Sequence, residues 1–445
     1  MFTSSGAARN DGRHRLSFPS ICLNAVQLVN DECGLSGVNV LYLQLPCNID
    51  THRRLVKLVI SEEVKQAMGE CVEWRRCLHE NPELSFEEYN TTAFLVDKLS
   101  KLEGIELRRY AKTGVVAILR GAKPGRTILL RADIDALPIQ EETGLPFASK
   151  KPGVMHACGH DGHTAMMLAA AAILSKERGR LAGEVRFLFQ HAEEQPPGGA
   201  AELARMGVMD GVDELYGLHL SSLYPTGHFG VRAGALTSAT DRFEIDVVGK
   251  GGHSAYPEGA HDAIVMAAQV VLALQTIVSR RVAATEPIVV SVCQINAGTA
   301  YNILPDEVHI VGSTRTFSEE TRERLPKIME GIVKGITETD ESTYRFRFIK
   351  GYASVVNDAA LASHCGELIE KNFGRDATFD IEPLMPGEDY SALQGFCPGF
   401  FVELGARNEE KGVVYPHHNP HYLLDEDSLQ YGVEYWCDLV RDRLS

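Results

Sequence analysis

Between Met155 and Thr164 the chain gathers His156, Cys158, His160, Asp161 and His163. Thiolate and imidazole are good ligands for zinc and similar divalent ions. Gly159 and Gly162 let the backbone fold so that neighbouring side chains converge. A polar turn capping a helix is the plainer reading of the same residues, and Cys158 as a nucleophile with a histidine base is a third. Other reactive groups follow apolar runs. Asp133 and Asp135 come after 127–130, Glu193 and Glu194 after 184–189, and His219 after 215–218, while His417 and His418 sit in a late turn. Singly, each is more commonly a solvated acid or a structural histidine. Together they form a series of Asp, Cys/His, Glu, His and His, each at the end of a predicted element. Adjacent carboxylates such as Glu193 and Glu194 are able to divide labour, one ligating a cation and the other moving protons.

The elements that must position these groups alternate. An amphipathic helix opens at Ser61, a second runs 87–99, strands are expected at 115–119, 127–130, 184–189 and 215–220, and an alanine-rich helix at 164–174. This order predicts an α/β fold, a mixed sheet flanked by helices. Near residue 240 the pattern changes to a strand (243–248), a long helix (261–283), two strands (288–295 and 307–316), a helix (319–339) and a strand (345–349), which suits a small two-layer α+β domain.

Length and charge narrow the function. At about 100–200 residues per domain, 445 residues make two or three domains. The net charge of −16 and the lack of a basic patch argue against nucleic acid. No run of about 18 apolar residues stands out, so no membrane span is expected. The ten cysteines are scattered without a CxxC pair, which fits reduced thiols in the cytoplasm. Residues 1–60 contain no clean signal peptide and are treated as an unassigned extension that leaves targeting open.

The ordered motifs resemble the M20 family of metallopeptidases and amidohydrolases, in the branch of hippurate hydrolase, N-acyl-amino-acid amidohydrolases and plant auxin-conjugate hydrolases. The resemblance rests on Arg75–Ser85, Arg131–Pro138, His156–His163, Ala192–Glu194, Gly217–His219, Gly252–Pro257, Tyr301–Pro305, Gly387–Tyr390 and His418–Pro420. It covers nearly everything from residue 62 onward. It implies two divalent ions per subunit, Mn2+ or Zn2+ with Co2+ as a further candidate, held by Cys158, His160, Glu194, His219 and His418. Glu193 would be the general base, and Asp135 would orient a ligand histidine. Asp133 occupies a ligand position in more distant members. The catalytic domain would comprise 61–237 and 352–445, and 238–351 would be an inserted lid and dimerisation domain. From that domain His253 would stabilise the oxyanion, commonly from the partner subunit, and Asn302 and Arg315 would bind substrate. The implied partners are an N-acyl amino acid substrate and further copies of the chain, in a homodimer or higher homo-oligomer. The chain departs from the pattern at His191, where proline is usual, and at Asn419, where serine or histidine is frequent. A dipeptidase or aminoacylase-type peptidase on the same scaffold, and a catalytically silent binding protein, are the alternatives.

Overall fold

The computed structural model describes residues 60–445; the extension read at 1–60 lies outside them apart from its last residue. The helix Glu62–Glu80 begins where Ser61 Oγ accepts from Val64 N, and Glu62 and Glu63 face its positive end. Val64, Cys71, Arg75, Leu78 and His79 form its buried stripe. In the strand Lys123–Asp133 residues 128–133 are all buried. Such a run suits a strand with parallel neighbours on both sides, covered on both faces.

The large sheet has eight strands. Its order is Ile105–Arg108, Val115–Arg120, Ala182–Gln190, Lys123–Asp133, Glu214–Pro225, Gly399–Arg407, Phe229–Val231 and Thr378–Asp380. The four strands from Ala182–Gln190 to Gly399–Arg407 are parallel, so their carboxyl ends share one edge. In open α/β sheets that edge is where ligands bind. Helices Glu62–Glu80, His160–Ser175, Ala359–Phe373 and Ser428–Arg443 pack one face. Gly199–Arg205, Ser391–Gln394 and neighbouring segments cover the other.

The chain from Ala239 to Lys350 builds a second sheet with its own core. It is antiparallel, in the order Ile288–Ala297, Glu307–Thr316, Ala239–Val248, Thr343–Lys350. Helices Ala263–Thr276 and Glu319–Thr339 pack under one face through Met266, Val270, Leu274, Leu325, Met329 and Val333. The segment Ala263–Arg281 is long and apolar enough in composition to cross a membrane. Here one side of it lies in the core, while Ile264, Val265 and Leu272 are exposed. The architecture is therefore the expected two-domain α/β fold.

Three local readings are corrected. The alanine-rich helix starts at His160 rather than Thr164, because Gly159 takes a left-handed turn (φ 87°) directly before it. The strand expected at 215–220 runs on to Pro225 because it pairs with Gly399–Arg407, which leaves His219 in mid-strand rather than at an element end. The long helix ends its regular α-turns at Thr276 and closes in a π-turn, Ile277–Arg281.

Candidate metal centre

The first turn of the helix His160–Ser175 presents the central ligand candidate. His160 Nδ1 lies 3.0 Å from the Asp135 carbonyl oxygen and 3.2 Å from Asp135 Oδ1. With Nδ1 turned to these acceptors, Nε2 is the ring nitrogen that faces the site. Asp135 is itself held, accepting from Ser85 Oγ at 2.7 Å and from Glu194 N at 3.0 Å. His160 Nε2 and Glu194 Oε1 are 3.8 Å apart, buried, and without a hydrogen-bond partner.

The remaining candidates converge on the same place. His219 Nδ1 bonds the Leu220 carbonyl oxygen at 2.8 Å, turning Nε2 to within 3.5 Å of Cys158 Sγ. His418 Nε2 stands 3.3 Å from Glu194 Oε1. Its backbone is left-handed (φ 62°), and its N–H is fixed on the Ala157 carbonyl oxygen at 2.8 Å. A non-glycine residue held there stores strain of about 1–3 kcal/mol, a pattern concentrated at functional sites. Potential ligand atoms of Cys158, His160 and His219 lie within 4.8 Å of one another, as do those of Cys158, Glu194 and His418. The five predicted ligands are thus gathered in overlapping sets. Thiolate, imidazole and carboxylate together suit zinc and similar divalent ions. Neither His160 Nε2 nor Glu194 Oε1 makes a hydrogen bond, and a cation between them would supply the missing partner. The donor set therefore fits bound divalent metal.

Two further close groups are engaged within the protein itself. Asp133, His160 and His163 also cluster. However, His163 Nδ1 bonds Asp133 Oδ1 at 2.6 Å, and its Nε2 accepts from Leu220 N at 2.8 Å. Both ring nitrogens are spent. Asp133 Oδ2 meanwhile pairs with Arg131 at 2.7 Å. Glu193, Glu388 and Asp389 cluster around the buried Arg131, which reaches Glu388 at 2.9 Å and Asp389 at 2.8 Å. This is an ion-pair network. Glu388 and Asp389 belong to a motif noted in the sequence, but nothing local there signals that they meet Arg131, 257 and 258 residues earlier.

The electrostatics show a site short of positive charge. Burial, with Glu388, Glu194 and Asp389 nearby, pushes the Glu193 carboxyl well above its ordinary value, against the pull of Arg131. Burial would depress His160, but Asp133, Asp135 and Glu194 raise it to about 10. Burial and the neighbouring His163 and His417 hold His219 neutral. Burial and Glu194 lift the Cys158 thiol well above its usual range, which disfavours a free thiolate nucleophile.

His417 and His191 are placed away from ligand duty. His417 Nε2 bonds the Leu220 carbonyl oxygen at 2.9 Å, and its ring packs edge-on against His219. His191 meets Glu202 at 3.2 Å and packs on Phe86. His253, Asn302 and Arg315 belong to the second sheet's domain. His253 pairs in register with Ile303, and Ser254 N bonds the Asn302 carbonyl oxygen at 3.1 Å, so the first two are neighbours; both are exposed. Arg315 sits elsewhere, beside Thr240 on the adjacent strand.

Comparison with known proteins agrees with this arrangement. Residues 129–442 match the model of peptidase family M20/M25/M40. An N-acyl-L-amino acid amidohydrolase of Geobacillus stearothermophilus is 54% identical over 66% of this chain and 81% of its own. An N-acetylcysteine deacetylase of Bacillus subtilis is 40% identical over 83% of this chain and 95% of its own. The crystal structure of the Bacillus subtilis YXEP protein, a dinuclear metal-binding peptidase of the M20 family, superposes with a TM-score of 0.76 at 37% identity, covering 85% of this chain and 99% of that one. With the matched region spanning both sheets and the gathered ligand set, the chain belongs to peptidase family M20/M25/M40 and is a hydrolase.

Proposed function

We propose that the protein is a metal-dependent amidohydrolase that cleaves N-acyl amino acids, hippurate-like conjugates among them, to a carboxylic acid and a free amino acid. The observation that carries this reading is a pair of buried ligand-type atoms without a hydrogen bond, His160 Nε2 and Glu194 Oε1, inside a ring completed by Cys158, His219 and His418. These five residues would hold two divalent cations, Mn2+, Zn2+ or Co2+. When bound, the cations would supply Lewis acidity toward the amide carbonyl and make water more acidic.

The chain's own groups do the rest. Glu193 lies beside the proposed ligand Glu194 and clusters with it and His160, which puts its carboxylate where it would take a proton from water and return it to the leaving amine. Asp135 holds His160 in the orientation that frees Nε2. His253 is assigned to the developing oxyanion, and Asn302 and Arg315 to the substrate. An anionic substrate meets a chain of net charge −16, so the cations and Arg315 must outweigh a repulsive field. The dimer reading finds support in the exposed Ile264, Val265, Leu272 and Ile295, which lie along one helix and the edge strand Ile288–Ala297.

The test is metal analysis of the purified protein, followed by a hydrolysis panel of N-acetyl, N-benzoyl and longer-acyl amino acids beside dipeptides, with Mn2+, Zn2+ or Co2+ supplied. Release of free amino acid from the acyl substrates is expected. Turnover of dipeptides alone would overturn the reading in favour of a peptidase. Glu193→Gln should keep its metals and lose about 10²–10⁴-fold in kcat.

A further inference from the structure

The chain crosses between the two sheets twice, outward at 236–239 and back at 350–356. The two passages are tied to each other. Leu236 N bonds the Val355 carbonyl oxygen at 2.8 Å, and Thr240 N bonds that of Tyr352 at 3.0 Å. Gly351 N bonds Asp241 Oδ1 at 3.0 Å. A Cβ at Gly351 would come within 2.2 Å of Thr240 O, so the close approach requires glycine there. Arg322, buried on the helix Glu319–Thr339, grips both passages. It pairs with Asp241 at 2.6 Å and donates to the carbonyl oxygens of Gly351 (3.0 Å) and Tyr352 (3.2 Å).

This crossover reaches into the metal centre. Tyr352 Oη donates to the Glu193 carbonyl oxygen at 2.6 Å. A second tie comes from the loop bearing Glu388 and Asp389, where Asp389 N approaches Glu193 Oε1 at 3.4 Å. That loop rests on the same crossover, for a Cβ at Gly387 would meet the Thr240 side chain at 2.6 Å. Both restraints on Glu193 therefore run to Thr240 and its partners. Ala192, directly before Glu193, has a left-handed backbone (φ 51°), so the loop is not held in place by ordinary local preference alone.

We propose that Tyr352 is a positioning residue: through its hydroxyl, the crossover between the two sheets sets the backbone, and with it the carboxylate, of Glu193. The inference rests on Glu193 being the base. A base displaced by a fraction of an ångström still lets substrate bind but transfers the proton less well, so the effect falls on kcat rather than KM.

The experiment compares Tyr352→Phe, Arg322→Lys, their double variant and Glu193→Gln in the metal-loaded full chain. Tyr352→Phe removes only the hydroxyl. It should lower kcat roughly tenfold, with KM, metal content and thermal midpoint unchanged. Arg322→Lys keeps the charge but loses the forked grip, and should lower kcat in the native background while combining less than multiplicatively with Tyr352→Phe. The proposal is overturned if Tyr352→Phe leaves kcat unchanged, shifts KM instead, loses metal, or multiplies with Arg322→Lys. If Glu193→Gln stays active, the reading of the base itself fails. An inactive Glu193→Gln beside a fully active Tyr352→Phe removes the coupling alone.

Discussion

His160 Nε2 and Glu194 Oε1 face each other across 3.8 Å, both buried and neither hydrogen-bonded. One comes from a helix N-terminus and the other from a strand-exit loop, and Asp135 touches both residues. If a cation belongs between them, its removal must weaken the fold as well as the activity. A ligand bound at 100 times its Kd stabilises by about 2.7 kcal/mol. Stripping metal with a chelator should therefore lower the unfolding midpoint of the native protein. Glu194→Gln should show a smaller chelator shift in the same melts. Equal shifts for both proteins would count against Glu194 as a ligand.

Asp135 contacts Nδ1 of His160, the nitrogen opposite the one proposed to bind metal. Groups in this position commonly set metal affinity or activity by about 10–100-fold. Asp135→Asn retains the shape but presents an amide to His160 Nδ1 or to Glu194 N. Metal affinity measured by competition with a chromogenic chelator should fall within that range, while the secondary structure stays intact. Affinity equal to that of the native protein would remove Asp135 from the site's support.

Behind the centre, Arg75 Nε pairs with Asp161 Oδ2 at 2.7 Å, and both side chains are almost fully buried. His79 Nδ1 reaches the same oxygen at 2.8 Å. Asp161 thus ties the helix Glu62–Glu80 to the turn that carries His160. Burial opposes the carboxylate, but Arg75 and His79 hold its pKa far below the ordinary value. A depressed carboxyl contributes stability above its unfolded pKa and loses it only as pH falls through the folded one. This contribution should therefore persist below pH 4. Removing one partner of a buried pair costs about 3–5 kcal/mol. Asp161→Asn should lose that much in urea unfolding at neutral pH, and a loss below 1 kcal/mol would contradict the pairing.

Much of this was legible in the residues because the signals are local. Ser61 before Glu62 and Glu63 marks a helix start, the alternation of 243–248 marks a half-buried strand, and Cys158 to His163 is dense in side chains of the kinds that bind metal. The misses are long-range. The strand holding His219 runs to Pro225 only because Gly399–Arg407 lies beside it, about 180 residues on. Arg131 looks like an ordinary strand residue until Glu388 and Asp389 return to it after the second domain. Tyr352 has no motif at all; its role comes from where the two crossing passages meet. Gly159 was the missed local sign, since a left-handed glycine directly before His160 starts the helix there.

Glu403 yields the last prediction. It lies on Gly399–Arg407, in register with His219 on one side and Gly230 on the other, and is 5% exposed. Burial, and then the nearby Glu388, raise its carboxyl from 4.5 to about 8. A raised acid binds its proton more tightly when folded, so the native state loses stability as pH climbs from about 4.5 to about 8 and levels off above. Each pKa unit is worth about 1.4 kcal/mol, so the total is on the order of a few kcal/mol. Glu403→Gln keeps the shape and abolishes the titration. The variant and the native protein should unfold alike near pH 4, and the variant should become the more stable by pH 9. Urea midpoints measured across that range at constant free metal check it. A gap that stays constant with pH would show that Glu403 is already ionised in the native fold at low pH.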